Sequence, residues 1–103
     1  MRSKKLRDSA RGQDCAFGIA GVCNGDNRTT VLCHLPSKDT GGMGFKSTDL
    51  CAAYGCSDCH DAIDNRKLSE EYQEFKDFYN GRALIRTLTR FFELDLITIK
   101  GAK

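Results

Sequence analysis

The chain has 103 residues, 16 basic and 14 acidic side chains, a net charge of +2, 40% hydrophobic residues and no Trp. That length accommodates one modest core and excludes two independent ones. No stretch is long and apolar enough for a membrane span, and a charge this close to zero does not by itself assign a nucleic-acid partner.

Residues 1–13 read as a basic flexible arm carrying Arg2, Lys4, Lys5, Arg7 and Arg11, with room for a short helix. No apolar run follows this start, so no secretory signal is read and a cytoplasmic location is expected. Residues 14–103 read as a single domain. It opens on a cysteine-bounded loop, Cys15 to Cys23, with two glycines, followed by the turn-forming run Asn24-Gly25-Asp26-Asn27.

Arg28 to His34 is rich in β-branched residues and predicts a strand that Pro36 ends. Ser37 to Ser47, with Gly41, Gly42 and Gly44, predicts a loop. Asp49 to Tyr54 predicts a second short strand, antiparallel to the first. Gly55 leads into Cys56-Ser57-Asp58-Cys59-His60, where a helix is expected from about Ser57 to Lys67. His60 and Asp64 lie i, i+4 on it and share a face. A further helix is expected over Ser69 to Tyr79, a break at Asn80-Gly81, and a third helix from Arg82 to about Leu94. This last helix carries Leu84, Ile85, Leu88, Phe91 and Phe92 on an apolar stripe. Leu96 to Ile99 predicts a terminal strand.

Six cysteines in a small chain point to a staple. A reducing compartment favours a metal over disulfides. Cys15, Cys23, Cys56 and Cys59 can supply four thiolates at tetrahedral corners, a closed set that suits structural Zn²⁺. The Cys56/Cys59 half has the usual ligand spacing and the Cys15/Cys23 half is wider. Cys33 is an alternative to Cys15 or Cys23, and His60 is another candidate ligand. Cys33 and Cys51 otherwise read as small buried hydrophobes. Cys-x-x-Cys-His is also the attachment pattern of c-type haem, a reading that the missing export signal disfavours.

The order of a cysteine pair, a strand ending in histidine, a second strand, then Cys-x-x-Cys-His at a helix start resembles the HNH endonucleases over about residues 15–67. Their active site is a ββα-metal motif on a treble-clef zinc scaffold. Four separated motifs resemble the YbcO-like prophage nuclease family across nearly all the chain after the arm. They are Ala10-Arg11-Gly12-Gln13-Asp14-Cys15, Gly21-Val22-Cys23-Asn24-Gly25, Cys56 through Asp64, and Arg82-Ala83-Leu84-Ile85-Arg86-Thr87.

The resemblance implies an α+β fold, a small zinc-stabilised treble-clef/ββα-metal core with additional C-terminal helices. It also implies a metal-dependent endonuclease that hydrolyses DNA phosphodiesters. In that reading His34 is the general base, because a neutral imidazole takes a proton from water near pH 7. Asp49 stands near the place of the family's middle Asn and orients His34. His60 and Asp64 hold the catalytic ion, Mg²⁺, Mn²⁺ or another divalent metal. Lys38 and Lys46 in the glycine loop, and Arg66 and Lys67 after the helix, are the candidate phosphate contacts. Arg82, Arg86 and Arg90 either extend that track or solubilise a helix. Cys33 precedes the candidate base where the family often has a metal ligand, a departure that keeps two alternatives open. One is a non-catalytic zinc module that binds nucleic acid or a phage recombination or replication protein. The other is a structural partner-binding domain that docks through its C-terminal helices.

Overall fold

The computed structural model describes residues 2–35 and 48–101. In chain order these form α1 (Lys4–Asp8), a 3-10 turn (Asn27–Thr29), β1 (Val31–His34), β2 (Ala52–Gly55), α2 (Ser57–Ile63), α3 (Glu70–Glu74) and α4 (Lys76–Glu93). Among the described residues the fold is a small mixed α/β arrangement with a two-stranded sheet and four helices.

β1 and β2 pair antiparallel, with Val31 opposite Gly55, Leu32 opposite Tyr54, Cys33 opposite Ala53 and His34 opposite Ala52. Every residue of β2 is buried, because one face meets α4 and the other lies under the cysteine loop. Its second edge is also satisfied. The Ala16 amide donates to the Tyr54 carbonyl at 2.8 Å, and the Tyr54 amide donates to Thr87 Oγ1 on α4 at 3.0 Å. The expected strand at Leu96–Ile99 therefore finds no edge here. Asp95 adopts a left-handed φ of 57°, the Leu96 amide returns to the Phe91 carbonyl, and the chain leaves α4 in a turn.

Gly55 is where the sheet, the cysteine loop and β1 come closest. A Cβ there would lie 2.7 Å from Cys33 Sγ and 3.0 Å from Phe17 Cδ2, both fully buried. Gly55→Ala is accordingly expected to destabilise the domain by about 1–3 kcal/mol through overpacking. A urea titration reading a lower midpoint at unchanged slope checks it.

The sequence-based helix boundaries change in two places. Asn80-Gly81 does not break the last helix, and α4 runs unbroken over 18 residues. Tyr79, Ala83, Thr87 and Phe91 are buried at every fourth position on both sides of the pair, and Tyr72 Oη donates to Asn80 Oδ1 at 3.0 Å. Tertiary burial outweighs the roughly 1 kcal/mol a helical glycine costs. The break falls instead at Phe75, between α3 and α4. α2 ends early, at Ile63, because Asn65 takes a left-handed φ of 60° and the Arg66 amide turns back to the Asp61 carbonyl.

Residues 1–13, expected as a basic arm, carry α1. Ser3 caps it by accepting the Leu6 amide, and Leu6 and Ala10 are buried in the common core. Two apolar side chains in register i, i+4 are enough to dock this otherwise charged segment against β1.

Candidate functional site

The Cys15–Cys23 loop and the start of α2 bring Cys15, Cys23, Cys56 and Cys59 together, with all four Sγ atoms within 4.8 Å of one another. The Cys23 and Cys56 sulfurs are 3.9 Å apart. Zinc–thiolate bonds of about 2.3 Å put the sulfurs of an ideal tetrahedron roughly 3.8 Å apart, so the cluster has the size such an ion needs. All six cysteines are free thiols. Cys56 doubles as the N-cap of α2, its sulfur accepting the Cys59 amide at 3.4 Å. A hydrogen bond from Cys59 is the main cause lowering the Cys15 thiol to about 4, while the same contact pushes Cys59 up. Without an ion, negative charge is thus favoured on Cys15, while burial pushes the Cys23 thiol up and the contact with Cys15 pushes Cys59 up. Cys33 stands outside the group. It is fully buried under Gly55 and its thiol is pushed up by that burial, as a core cysteine's should be.

His34 ends β1, and Asp49 lies in the turn before β2 rather than in the strand. The two meet across the hairpin: His34 Nε2 donates to Asp49 Oδ1 at 2.7 Å. Asp49 is fully buried, whereas the His34 side chain remains 32% exposed. The second carboxylate oxygen accepts the Ser3 amide from the N-cap of α1, and Arg7 Nε stands 3.8 Å from it. Burial alone would raise the Asp49 carboxyl. The Ser3 amide, the His34 hydrogen bond and the charges of His34 and Arg7 outweigh that and hold it below the usual carboxylate value. An ionised carboxylate only accepts, so the Nε2 nitrogen of His34 carries the proton and Nδ1 keeps its lone pair in the neutral ring. Ser3 was not singled out from sequence, and Arg7 was read only as one charge of the basic arm. They lie more than 40 positions from Asp49, and no local pattern links them.

His60 on α2 and Asp64 at its C-cap face each other, with Nε2 and Oδ2 3.1 Å apart. Arg66 approaches from the solvent side, 3.5 Å from Asp64 and 3.7 Å from Asp61. Lys67 reaches back to Asp58 at 2.9 Å. Lys38 and Lys46 lie outside the described residues. The arginine row of α4 is anchored along one side of the helix: Arg82 donates to the Phe17 carbonyl at 2.8 Å, Arg86 to the Ala16 carbonyl at 3.3 Å and Arg90 to Gln13 Oε1 at 3.0 Å, with Arg86 and Arg90 still exposed. These arginines tie the strand of chain entering the cysteine loop to the long helix.

A family model described as "Putative nuclease YbcO" matches residues 4–96. The chain belongs to the YbcO family. It is similar to "Putative nuclease YbcO" of Escherichia coli (strain K12) and to "Putative nuclease ybcO" of Enterobacteria phage 82, each 49% identical over 61 residues. Those matches cover 59% of this chain and 64% of each relative, so the matched stretch spans less than two thirds of the relatives' length. Among solved structures, "Structure of a putative bacteriophage protein from Escherichia coli str. K-12 substr. MG1655" matches with a TM-score of 0.63 and 32% identity, over 88% of this chain and 100% of that one. The YbcO match takes in α1 and all of α4, so Arg7 and the arginine row lie within the family's extent and Ser3 stands one residue before it. Among the described residues, no helix is long and apolar enough to cross a membrane.

Proposed function

We propose that this YbcO-family chain is a zinc-stabilised, HNH-type endonuclease that hydrolyses DNA phosphodiesters with a divalent metal. The observation that carries the reading is His34 hydrogen-bonded to the buried, ionised Asp49 at 2.7 Å. That contact fixes the imidazole tautomer and leaves Nδ1 as the basic atom of a half-exposed side chain at the end of a strand. In this reading His34 Nδ1 takes the proton of the attacking water. Asp49 holds the ring in place and stabilises the imidazolium that forms. The names of the relatives, putative nucleases, support the same reaction class.

In the proposed treble-clef scaffold, the four cysteines hold Zn²⁺ as a closed structural site. His60 and Asp64 converge on one exposed face and make an imidazole–carboxylate pair suited to Mg²⁺, Mn²⁺ or a later transition ion. Such an ion, when bound, supplies Lewis-acid stabilisation of the charge developing on the phosphate and the leaving oxygen. Arg66 and Lys67 beside that pair, with Lys38 and Lys46, are the proposed contacts to the DNA backbone, which makes binding salt-sensitive and weakly sequence-specific.

Plasmid nicking tests the reading. Purified protein is expected to nick in Mg²⁺, Mn²⁺ or Ni²⁺, and His34→Ala to lose about 10²–10⁴-fold in rate while keeping its fold and zinc content. Nicking retained in that variant, with contaminating nuclease excluded, removes His34 from the chemistry. The ion pairs from Arg66 to Asp61 and Asp64 favour one second reading, because they offset the acidic charge that a catalytic cation needs. In that reading the chain is a zinc module that binds nucleic acid, or a phage recombination or replication protein, without cutting. It predicts salt-dependent DNA binding with no nicking in any metal.

A further inference from the structure

Arg82 on α4 is a partly buried cation without a carboxylate partner among the described residues. Its Nη2 donates to the Phe17 carbonyl at 2.8 Å, and its Nε is buried with no hydrogen-bond partner among those residues. The guanidinium lies 4.8 Å from the centroid of the Phe78 ring and 5.5 Å from that of Tyr79. Arg86 Nη1 donates to the preceding carbonyl, that of Ala16, at 3.3 Å. Arg28, Arg66, Lys67 and Arg90 each pair with an acidic side chain. Among the described residues Arg82 and Arg86 enter no such pair. Glu71 on α3 accepts from Tyr79 Oη and forms no ion pair with Arg82. A cation drawn partly out of water is costly without a counter-charge, so the anion that these two arginines face has to lie elsewhere.

Both of the carbonyls they bond belong to peptide units that address the cysteine cluster. The Phe17 carbonyl shares its peptide with the Gly18 amide, and the Ala16 carbonyl shares its peptide with the Phe17 amide. The Gly18 and Phe17 amides both hydrogen-bond the Cys15 sulfur. Gly18 takes a left-handed φ of 56°, and the next amide, that of Ile19, serves Cys59. A Cβ on Gly18 would lie 3.6 Å from Arg82 Nη2, so the guanidinium stands directly behind the loop. A peptide that accepts a hydrogen bond at its oxygen becomes a stronger donor at its nitrogen, by about 10–30% per bond. Zn²⁺ held by four thiolates leaves the centre a dianion. Each of these two peptides therefore has an arginine on its oxygen and a sulfur on its nitrogen.

We propose that Arg82 and Arg86 are positioning residues of the four-cysteine metal centre. Through the Phe17 and Ala16 carbonyls they strengthen the amide donors to the Cys15 sulfur, and their charge offsets the dianion that forms when zinc is held. The inference rests on the zinc reading of the cluster and uses none of the residues assigned to catalysis. The geometry ranks the two. The Arg82 bond is short, charge-assisted and partly shielded from water, whereas Arg86 is exposed and its bond is longer. Arg82 therefore has the larger effect. Arg90 bonds the Gln13 side chain and no loop carbonyl, which makes it the matched control on the same helix.

Two measurements on the full chain test it: zinc affinity by chelator competition, and the energy of the thiolate-to-metal charge-transfer band with Co²⁺ in place of zinc. Arg82→Met keeps an apolar stem against Phe78 and Tyr79 and removes the donor and the charge. It is expected to weaken zinc binding about 10–100-fold. It should also move the cobalt band to lower energy, because a sulfur with weaker donors gives up an electron more readily. Arg86→Met should move both in the same direction by less. Arg82→Lys, which keeps the charge, should recover part of the affinity, and Arg90→Met should change neither reading. Wild-type affinity and band in both methionine variants at 82 and 86 overturn the proposal. Affinity lost with the band unmoved also overturns it, since a loosened loop alone gives that result. Should Arg82→Met fail to fold, the band of Arg86→Met and of Arg82→Lys decides by the same criterion. A wild type that binds no metal at the four cysteines removes the zinc reading itself, and this inference with it.

Discussion

With the proposed zinc in the four-cysteine cluster, removing that ion, or replacing Cys59 by alanine, is expected to leave the domain unfolded. The reason is one of magnitudes. A domain of this size has about 5–15 kcal/mol of net stability, and a structural zinc held by thiolates supplies about 10–16 kcal/mol near neutral pH. The cluster joins the Cys15–Cys23 loop to the first turn of α2. Phe17 and Ile19, both buried at the centre of the core, hang from that loop. Losing the metal therefore releases core side chains as well as sulfur. Cys33→Ala is the matched control. It is equally buried but stands outside the cluster, so it should cost only about 1 kcal/mol and leave metal content intact. Far-UV circular dichroism on titration with a chelator, with released zinc measured in parallel, reads both outcomes. A fold that persists after stoichiometric loss of metal would show that the cluster is not the staple.

Asp49→Asn should lower the rate of cleavage by about 10²–10⁴-fold although it changes one atom. Among the described residues, the two groups that hydrogen-bond this carboxylate are donors, the Ser3 amide and the Nε2–H of His34. An asparagine presents one oxygen and one NH₂, so it can accept from only one of them. If the oxygen faces Ser3, the NH₂ meets His34 and forces the proton onto Nδ1, the atom that must accept one. If the oxygen faces His34, the partly buried Ser3 amide meets a donor, at a cost of about 1–3 kcal/mol. The substitution thus trades stability against tautomer. The same logic fixes a pH dependence. The Asp49 carboxyl is held below its ordinary value in the fold. Its contribution to stability is complete above the unfolded carboxylate pKa of about 4 and is lost as pH falls through the lower folded value. Melting temperatures of wild type and Asp49→Asn should therefore differ most near neutral pH and converge on acidification. A gap that stays constant down to the acid limit would separate Asp49 from this linkage.

The features that could be read along the chain are those whose physics is local. The Cys-x-x-Cys turn opens a helix because the Cys56 sulfur caps it. The end of the β-branched run, Val31–His34, forms a strand that pairs antiparallel with Ala52–Gly55, whereas Arg28 and Thr29, expected in that strand, lie in the 3-10 turn. The i, i+4 spacing of His60 and Asp64 places them on one face. Each of these depends on residues within a few positions of one another.

What the tertiary structure decided involves residues far apart, or a choice that local propensity gets wrong. Asn80-Gly81 looks like a break, and burial of Tyr79 and Ala83 carries the helix through it. The basic start looks like an arm, and Leu6 and Ala10 dock it so that the Ser3 amide reaches Asp49. Arg82, Arg86 and Arg90 look like a solvated or phosphate-binding row, and they are spent on carbonyl and amide oxygens between Gln13 and Phe17. Propensity weighs each residue against its neighbours in sequence. These outcomes depended on which buried groups needed a partner once the chain had closed, and the partner lay dozens of residues away.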